Sequence, residues 1–160
     1  MPANTAPTTL HLHIAARETV AALRVPGAED RRFVLPIGCD TLWPLPAHGG
    51  GPSPLELENA IQVVEDQIEG LHRHVPAGSR LMVGARALAP LQRVGAIRGV
   101  PNGAIGLADI EHEYQQLAAR AMGAPSARGS GFDHPAGDAL VLILRECLHH
   151  LGFGAVHLTA

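Results

Sequence analysis

Gly131-Phe-Asp-His-Pro-Ala-Gly-Asp-Ala-Leu140-Val-Leu-Ile-Leu-Arg-Glu-Cys-Leu-His-His150-Leu-Gly-Phe-Gly-Ala-Val-His-Leu-Thr159 is the stretch that decides the fold. A turn with Asp133 as N-cap opens a helix, Gly152 closes it, and a short strand runs from Ala155 to Thr159. Leu140, Val141, Ile143, Leu144, Cys147, Leu148 and Leu151 make that helix apolar almost all round, leaving a narrow polar stripe. A helix of this kind is buried between layers, because water wets only a face that polar side chains occupy. A buried helix feeding a terminal strand points to a layered α/β fold.

Working back from there, Leu10-His-Leu-His-Ile alternates with period two, Thr19 to Val25 continues as a second strand, and Arg32 to Ile37 resumes as a third after the turn Pro26-Gly-Ala-Glu-Asp. Residues 44 to 52, rich in Pro and Gly, form a loop. Ser53 then stands as N-cap, Pro54 at the first helical position and Glu56 three residues after the cap, a capping box worth roughly 1 kcal/mol. Leu57, Ile61, Val64, Ile68 and Leu71 form one apolar stripe, against solvated Glu58, Glu65, Asp66 and Glu69. Arg80 to Gly84 reads as a fourth, buried strand, Ala85 to Val94 as a short helix, 95–107 as irregular and Ala108 to Met122 as a helix with Ile110, Tyr114, Leu117 and Ala121 on one face. The Gly/Ser/Pro stretch 123–131 is expected to be a mobile loop. An antiparallel triplet followed by a helix and parallel strands predicts a mixed five-stranded sheet, order 3-2-1-4-5, with helices on both faces. That is the plan of an RNase H-like fold, as in one half of an actin-like ATPase.

The chain has 160 residues, enough for one core without staples, and the reading is a tail over 1–9 and a single domain over 10–160. Net charge is -3, and the arginines are scattered rather than striped, which argues against nucleic acid as a partner because phosphate binding needs a basic footprint. Cys39 and Cys147 have no C-x-x-C spacing, so a reduced, cytoplasmic setting is expected. No apolar run reaches the roughly 18 residues of a membrane span, and the N-terminus lacks a signal-peptide pattern.

Three stretches together resemble the second actin-like domain of the exopolyphosphatase and guanosine pentaphosphate phosphatase (Ppx/GppA) family: Phe33 to Leu42 with Pro52 to Glu58, Gly131 to Leu144, and Gly152 to Thr159. In that family the first strand of the domain ends in an acidic residue and a glycine-rich turn, "DIGGGS", whose N–H groups approach phosphate because glycine lacks a Cβ. The matching positions here are His13, Ala15, Ala16 and Arg17. A second glycine signature, "TGGTARAL", faces Met82 to Leu88 and keeps Gly84, with Arg86 beside it. Arg17 and Arg86 align to positions flanking the family's phosphate cleft, where an arginine fork binds an anion without catalysing anything. The resemblance thus implies phosphate or another anion held by His13, Ala15, Ala16, Arg17, Gly84 and Arg86. Phosphoanhydride hydrolysis needs positioned Mg²⁺, a nucleophilic water and phosphate donors, and no catalytic residue is assigned. The expectation is a non-catalytic binding or interaction module. The alternative is a phosphohydrolase whose cleft is completed by a homodimer, with Mg²⁺ as its cofactor.

The ten histidines raise a metal question. His11 and His13 are two apart on one strand, share a face and could offer two imidazoles to zinc or nickel, but ordinary polar strand positions account for them more simply and no metal site is assigned. His72 and His74 sit near a helix C-terminus, where positive charge is favoured. Gly49-Gly-Gly51 lacks the lysine of a phosphate loop, Cys147 reads as a small core hydrophobe, Cys39 as a strand-end residue that solvent could reach but that needs no chemical role, and Asp40, Glu111 and Glu113 as surface charges.

Overall fold

The computed structural model describes residues 6–44, 51–92, 103–127 and 136–159. The alternating N-terminal stretches form β1 (Thr9–Ile14), β2 (Thr19–Arg24) and β3 (Arg31–Leu35). Both pairings are antiparallel, with Ile14 opposite Thr19 and Thr19 opposite Leu35. Strand alternation sets the two faces: Leu10, Leu12, Ile14, Ala21, Leu23 and Leu35 are buried, whereas His11, His13, Val20 and Ala22 on the other face keep contact with water.

α1 (Pro54–His72) begins at the expected capping box. The Glu56 N–H donates to Ser53 Oγ at 3.2 Å and the Ser53 N–H to Glu56 Oε2 at 2.7 Å. Its buried stripe is Leu57, Ala60, Val64, Ile68 and Leu71, so Ala60 rather than Ile61 takes the inward position. β4 (Arg80–Gly84) pairs parallel to β1, with Leu81 beside Leu10. After consecutive turns over 84–89 comes α2, only Ala89–Gln92. β5 (Ala104–Gly106), α3 (Leu107–Ala121), a 3-10 turn (Pro125–Ala127), α4 (Ala136–Leu151) and β6 (Ala155–Thr159) complete the order.

α4 is buried along most of its length, from Ala139 to Leu144 and again from Glu146 to Leu148. It lies between the sheet and the other helices: Leu140, Val141, Leu144 and Leu148 share a core with β1, β2, β4 and β6, while Ala139 and Leu142 meet Trp43, Leu57, Ala60 and Leu117. Gly152 ends α4 at φ 73°, a left-handed conformation that glycine adopts without a Cβ penalty. The Phe153 N–H then donates to the Leu148 carbonyl at 3.0 Å, a Schellman closure that turns the chain into β6.

The sheet order is β3-β2-β1-β4-β6-β5. The expected order 3-2-1-4-5 is kept, with β6 in the fifth place, but the sheet has six strands rather than five. The additional β5 comes from the stretch read as irregular. It is three residues long, too short for a period, and is held antiparallel to β6 with Ile105 opposite Val156, both buried. A second departure concerns the layers. The described helices pack on one face of the sheet, not on both. The other face carries a continuous row, Arg32, Ala22, His11, Met82, His157 and Ala104, one residue from each strand, and none of the six is buried.

Thr9, assigned to the tail, begins β1. The tail to Thr5, the loop 45–50 with Gly49 and Gly50, residues 93–102 including the end of the expected short helix, and 128–135 with the Asp133 cap lie outside the described residues. No described helix is long and apolar enough to cross a membrane.

Candidate functional site

The turn that joins β1 to β2 is where the resemblance places phosphate, and it is shut. The Ala15 N–H donates across the turn to the Glu18 carbonyl at 2.9 Å. Ala15 and Ala16 then present carbonyl oxygens, not N–H groups, to the segment after β3: the Cys39 N–H donates to Ala15 O at 3.0 Å and the Asp40 N–H to Ala16 O at 2.7 Å. Gly38 makes this possible. A Cβ there would stand 2.5 Å from both carbonyl oxygens, nearer than carbon and oxygen can approach. Thr19 Oγ1 donates to the buried Ile37 carbonyl at 2.8 Å and Thr41 Oγ1 accepts from the Gly38 N–H at 2.8 Å, so both flanks of the closure are tied down. The Arg17 side chain is exposed beyond it.

Gly84 ends β4 with open space around it, the nearest atom to an added Cβ being Thr159 Oγ1 at 3.9 Å. It shares a shallow depression of about 350 Å³, on the sheet face that no described helix covers, with His11, His13, Arg24, Asp30, Arg32 and Met82. Of the expected anion-binding set, His13 and Gly84 therefore meet, whereas Ala15, Ala16, Arg17 and Arg86 do not line this space. His11 Nε2 lies 3.0 Å from Thr9 Oγ1; burial, and then the charge of Arg24, hold its imidazole below the usual histidine range, against the opposing pull of Asp30. Arg24 is paired with Asp30 at 3.1 Å in solvent, and no pairing of Arg32 is found among the described residues.

The densest polar chemistry lies elsewhere, on the stripe that α4 leaves between its apolar faces. Arg145, Glu146, His149 and His150 recur at helical spacing, so one pair looks toward α3 and the other toward α1. His150 Nε2 sits 3.3 Å from Glu65 Oε1 of α1 and 3.2 Å from Glu146 Oε2. Glu146 is 1 % exposed, and its other oxygen accepts from Arg145 Nη1 at 2.6 Å. Arg145 also reaches Glu111 of α3 at 3.1 Å and lies 3.8 Å over the Tyr114 ring. His149 Nε2 is 2.9 Å from the same Glu111 oxygen. Partial burial pushes the Glu111 carboxyl up, but hydrogen bonds from His149, Arg145 and Gln115 and the charge of Arg145 outweigh it and lower it to about 2.

Glu65 and Glu111 were expected to be solvated charges, and nothing in their local spacing says otherwise. Their partners are 85 and 34 residues away, on α4. Among the described residues, Glu65, Glu146 and His150 are the group of three carboxylate, imidazole or thiolate donors close enough to share one ion. His72 is exposed beside them, while His74 falls past the end of α1 and stacks on Phe33 at 5.0 Å.

Both cysteine thiols are held above the usual cysteine range. Burial, then the charge of Asp40, pushes the Cys39 thiol up to about 11, and burial pushes Cys147 up to about 12. Cys39 is half-buried and packs against the core.

The Mg²⁺ that the resemblance implies finds no fit at the turn. The acidic position is His13, the turn offers backbone carbonyls already bonded to Cys39 and Asp40, and no group of three ligand side chains is found there among the described residues.

No protein-family model matches the sequence, and no curated protein does. Solved structures match along nearly the whole chain. The Aquifex aeolicus Ppx/GppA phosphatase, in its type II crystal structure, superposes with a TM-score of 0.67 at 10% identity, over 96% of this chain and 53% of that one. A second structure of the Aquifex aeolicus enzyme gives 0.64 at 14% identity, over 95% and 53%. An exopolyphosphatase-like protein gives 0.63 at 12% identity, over 97% and 55%. The chain spans about half the length of the structures it matches, and at these identities the likeness is one of fold: an α/β unit with the architecture of half a Ppx/GppA phosphatase.

Proposed function

We propose that this chain is an exopolyphosphatase-related half domain that binds an anion or a partner and does not hydrolyse phosphate. The observation that carries the reading is the closed β1–β2 turn. Its carbonyls are spent on Cys39 and Asp40, and Gly38 fills the space behind it, so the position that should offer N–H groups to phosphate offers packed backbone. Anion binding then belongs on the sheet face that no described helix covers, where Arg32, Arg24, His11 and His13 line the depression and Asp30, also in its lining, is spent on Arg24. Arg32 supplies the fork and the imidazoles supply further donors, a set suited to a phosphate-containing ligand. Calorimetry with inorganic tripolyphosphate is expected to detect binding that Arg32→Ala weakens about tenfold. The same preparation with Mg²⁺ is expected to release no phosphate from polyphosphate or guanosine pentaphosphate above a matched blank. Turnover would overturn the reading.

A second reading, a phosphohydrolase completed by a homodimer, draws support from the same open face. β1, β4 and β6 run parallel, and parallel strands are normally covered on both sides. A second copy laid over His11, Met82 and His157 would cover them and bring a second set of donors. This reading predicts a dimer that anions stabilise. A monomer in sedimentation with no anion binding would end it. Either reading suits a cytoplasmic protein with reduced thiols.

A further inference from the structure

We infer that Glu65, Glu146 and His150 form a binding site for a divalent transition-metal ion of the zinc class, independent of the sheet face. The donors come from two helices that the fold locks together. Glu146 and His150 are four apart on α4 and therefore stand one above the other, and Glu65 approaches from α1. His150 Nε2 is 3.3 Å from one carboxylate oxygen and 3.2 Å from the other. Ligands bonded to zinc at about 2.0 Å in a tetrahedron lie about 3.3 Å apart, so two edges of that shell are already drawn.

The protein bonds around the donors fit the same purpose. A ring nitrogen carries at most one proton, and His150 Nε2 faces two carboxylate oxygens at once. A neutral imidazole that gives its Nε2 lone pair to a cation, with an oxygen from each carboxylate, resolves this and neutralises the buried charge of Glu146. Glu146 would ligate through Oε2 and keep Oε1 on Arg145, which is itself held by Glu111 and the Tyr114 ring. Outer contacts of this kind orient metal-binding carboxylates. On the solvent side Glu65 and His150 open into a depression of about 320 Å³ lined also by Gln62, Asp66, Glu69 and His72. Three protein ligands with a fourth position facing such a space leave room for water or for an anion on the metal. One imidazole with two carboxylates favours zinc or cobalt over the hard, all-oxygen preference of Mg²⁺.

The site lies at the end of the domain where β4 and β6 begin. α4 turns through Gly152 into β6, which runs parallel to β4 and β1, so its last turn is remote from the β1–β2 closure at the far end of β1.

Titration of the full chain with Co²⁺, displaced afterwards by Zn²⁺, tests this. One equivalent of Co²⁺ is expected to give the visible absorption of tetrahedral cobalt. Glu65→Gln and His150→Gln are each expected to weaken uptake about 100-fold and to abolish the rise of Tm with Zn²⁺. Both replace partly exposed side chains, and near-UV circular dichroism without metal checks that each still folds. His149→Gln, on the same helix but turned to Glu111, is expected to leave the cobalt spectrum unchanged. Absence of stoichiometric uptake overturns the inference. So does uptake that survives both ligand changes but is lost in His11→Gln, which would move the metal to the sheet face.

Discussion

The two ends of this domain solve opposite problems. At the β1–β2 turn the backbone closes on itself through Ala15, Ala16, Cys39 and Asp40, with a glycine where no side chain fits. At the far end, where α4 runs out between α1 and α3, three carboxylates, one guanidinium and two imidazoles are interlocked around the buried Glu146. The first end is held by packing and backbone hydrogen bonds, so it is sensitive to volume and indifferent to pH. The second is held by charge as well as by packing, so it also responds to pH. The resemblance places phosphate at the first end, whereas the densest group of ionisable side chains among the described residues lies at the second.

Gly38→Ala is the change that should do most to break this contrast. The added Cβ meets two backbone oxygens at 2.5 Å, and backbone cannot rotate away as a flexible side chain can. A loss of about 3 kcal/mol is expected, read as a lower urea midpoint with the slope unchanged. A neutral result would mean that the turn opens readily, and the non-catalytic reading would lose its support.

At the charged end, Arg145→Ala removes the partner of Glu146 and leaves a carboxylate that is 1 % exposed with only His150 to face. The expected cost is about 2 kcal/mol by the same measurement, less than for a fully enclosed pair because Arg145 keeps some solvent. Glu146→Gln made in the Arg145→Ala background should recover part of it. Failure to recover would show that Arg145 acts by packing on Tyr114 rather than by charge.

The smallest effect sharpens the pH side of the comparison. Glu111 has a folded-state value of about 2 against an ordinary 4.5, so its contribution is fully present above about pH 4.5 and is lost as pH falls through 2. Glu111→Gln should cost about 1 kcal/mol at pH 7, discounted for its exposure, and should flatten the fall of Tm between pH 4.5 and 2. Gly38→Ala should leave the shape of that curve alone. A parallel curve for Glu111→Gln would show that His149 and Arg145 do not act on Glu111 in solution.

What could be read from the chain alone was whatever repeats locally. The cap at Ser53 with Glu56, the apolar stripe of α1, the all-round apolar character of α4 and the alternation of Leu10, Leu12 and Ile14 each lie within a few residues, and each appears where expected, save that Ala60 takes the place of Ile61 in the stripe. Even the order of five of the strands followed, because hairpins set β1, β2 and β3 side by side and the parallel strands after the helices then add at the free edge. Three features had no local trace. β5 is too short to show a period, and it exists because β6 offers an edge. The sheet face that no described helix covers depends on which side each helix takes, and alternating residues such as His11 and Met82 look the same whether or not something covers them. The grouping of Glu65, Glu111, Arg145, Glu146, His149 and His150 joins three helices across tens of residues. Their charges read as surface because spacing along one helix reports which face a residue occupies, while only the packing of α4 between its neighbours determines that the face is closed.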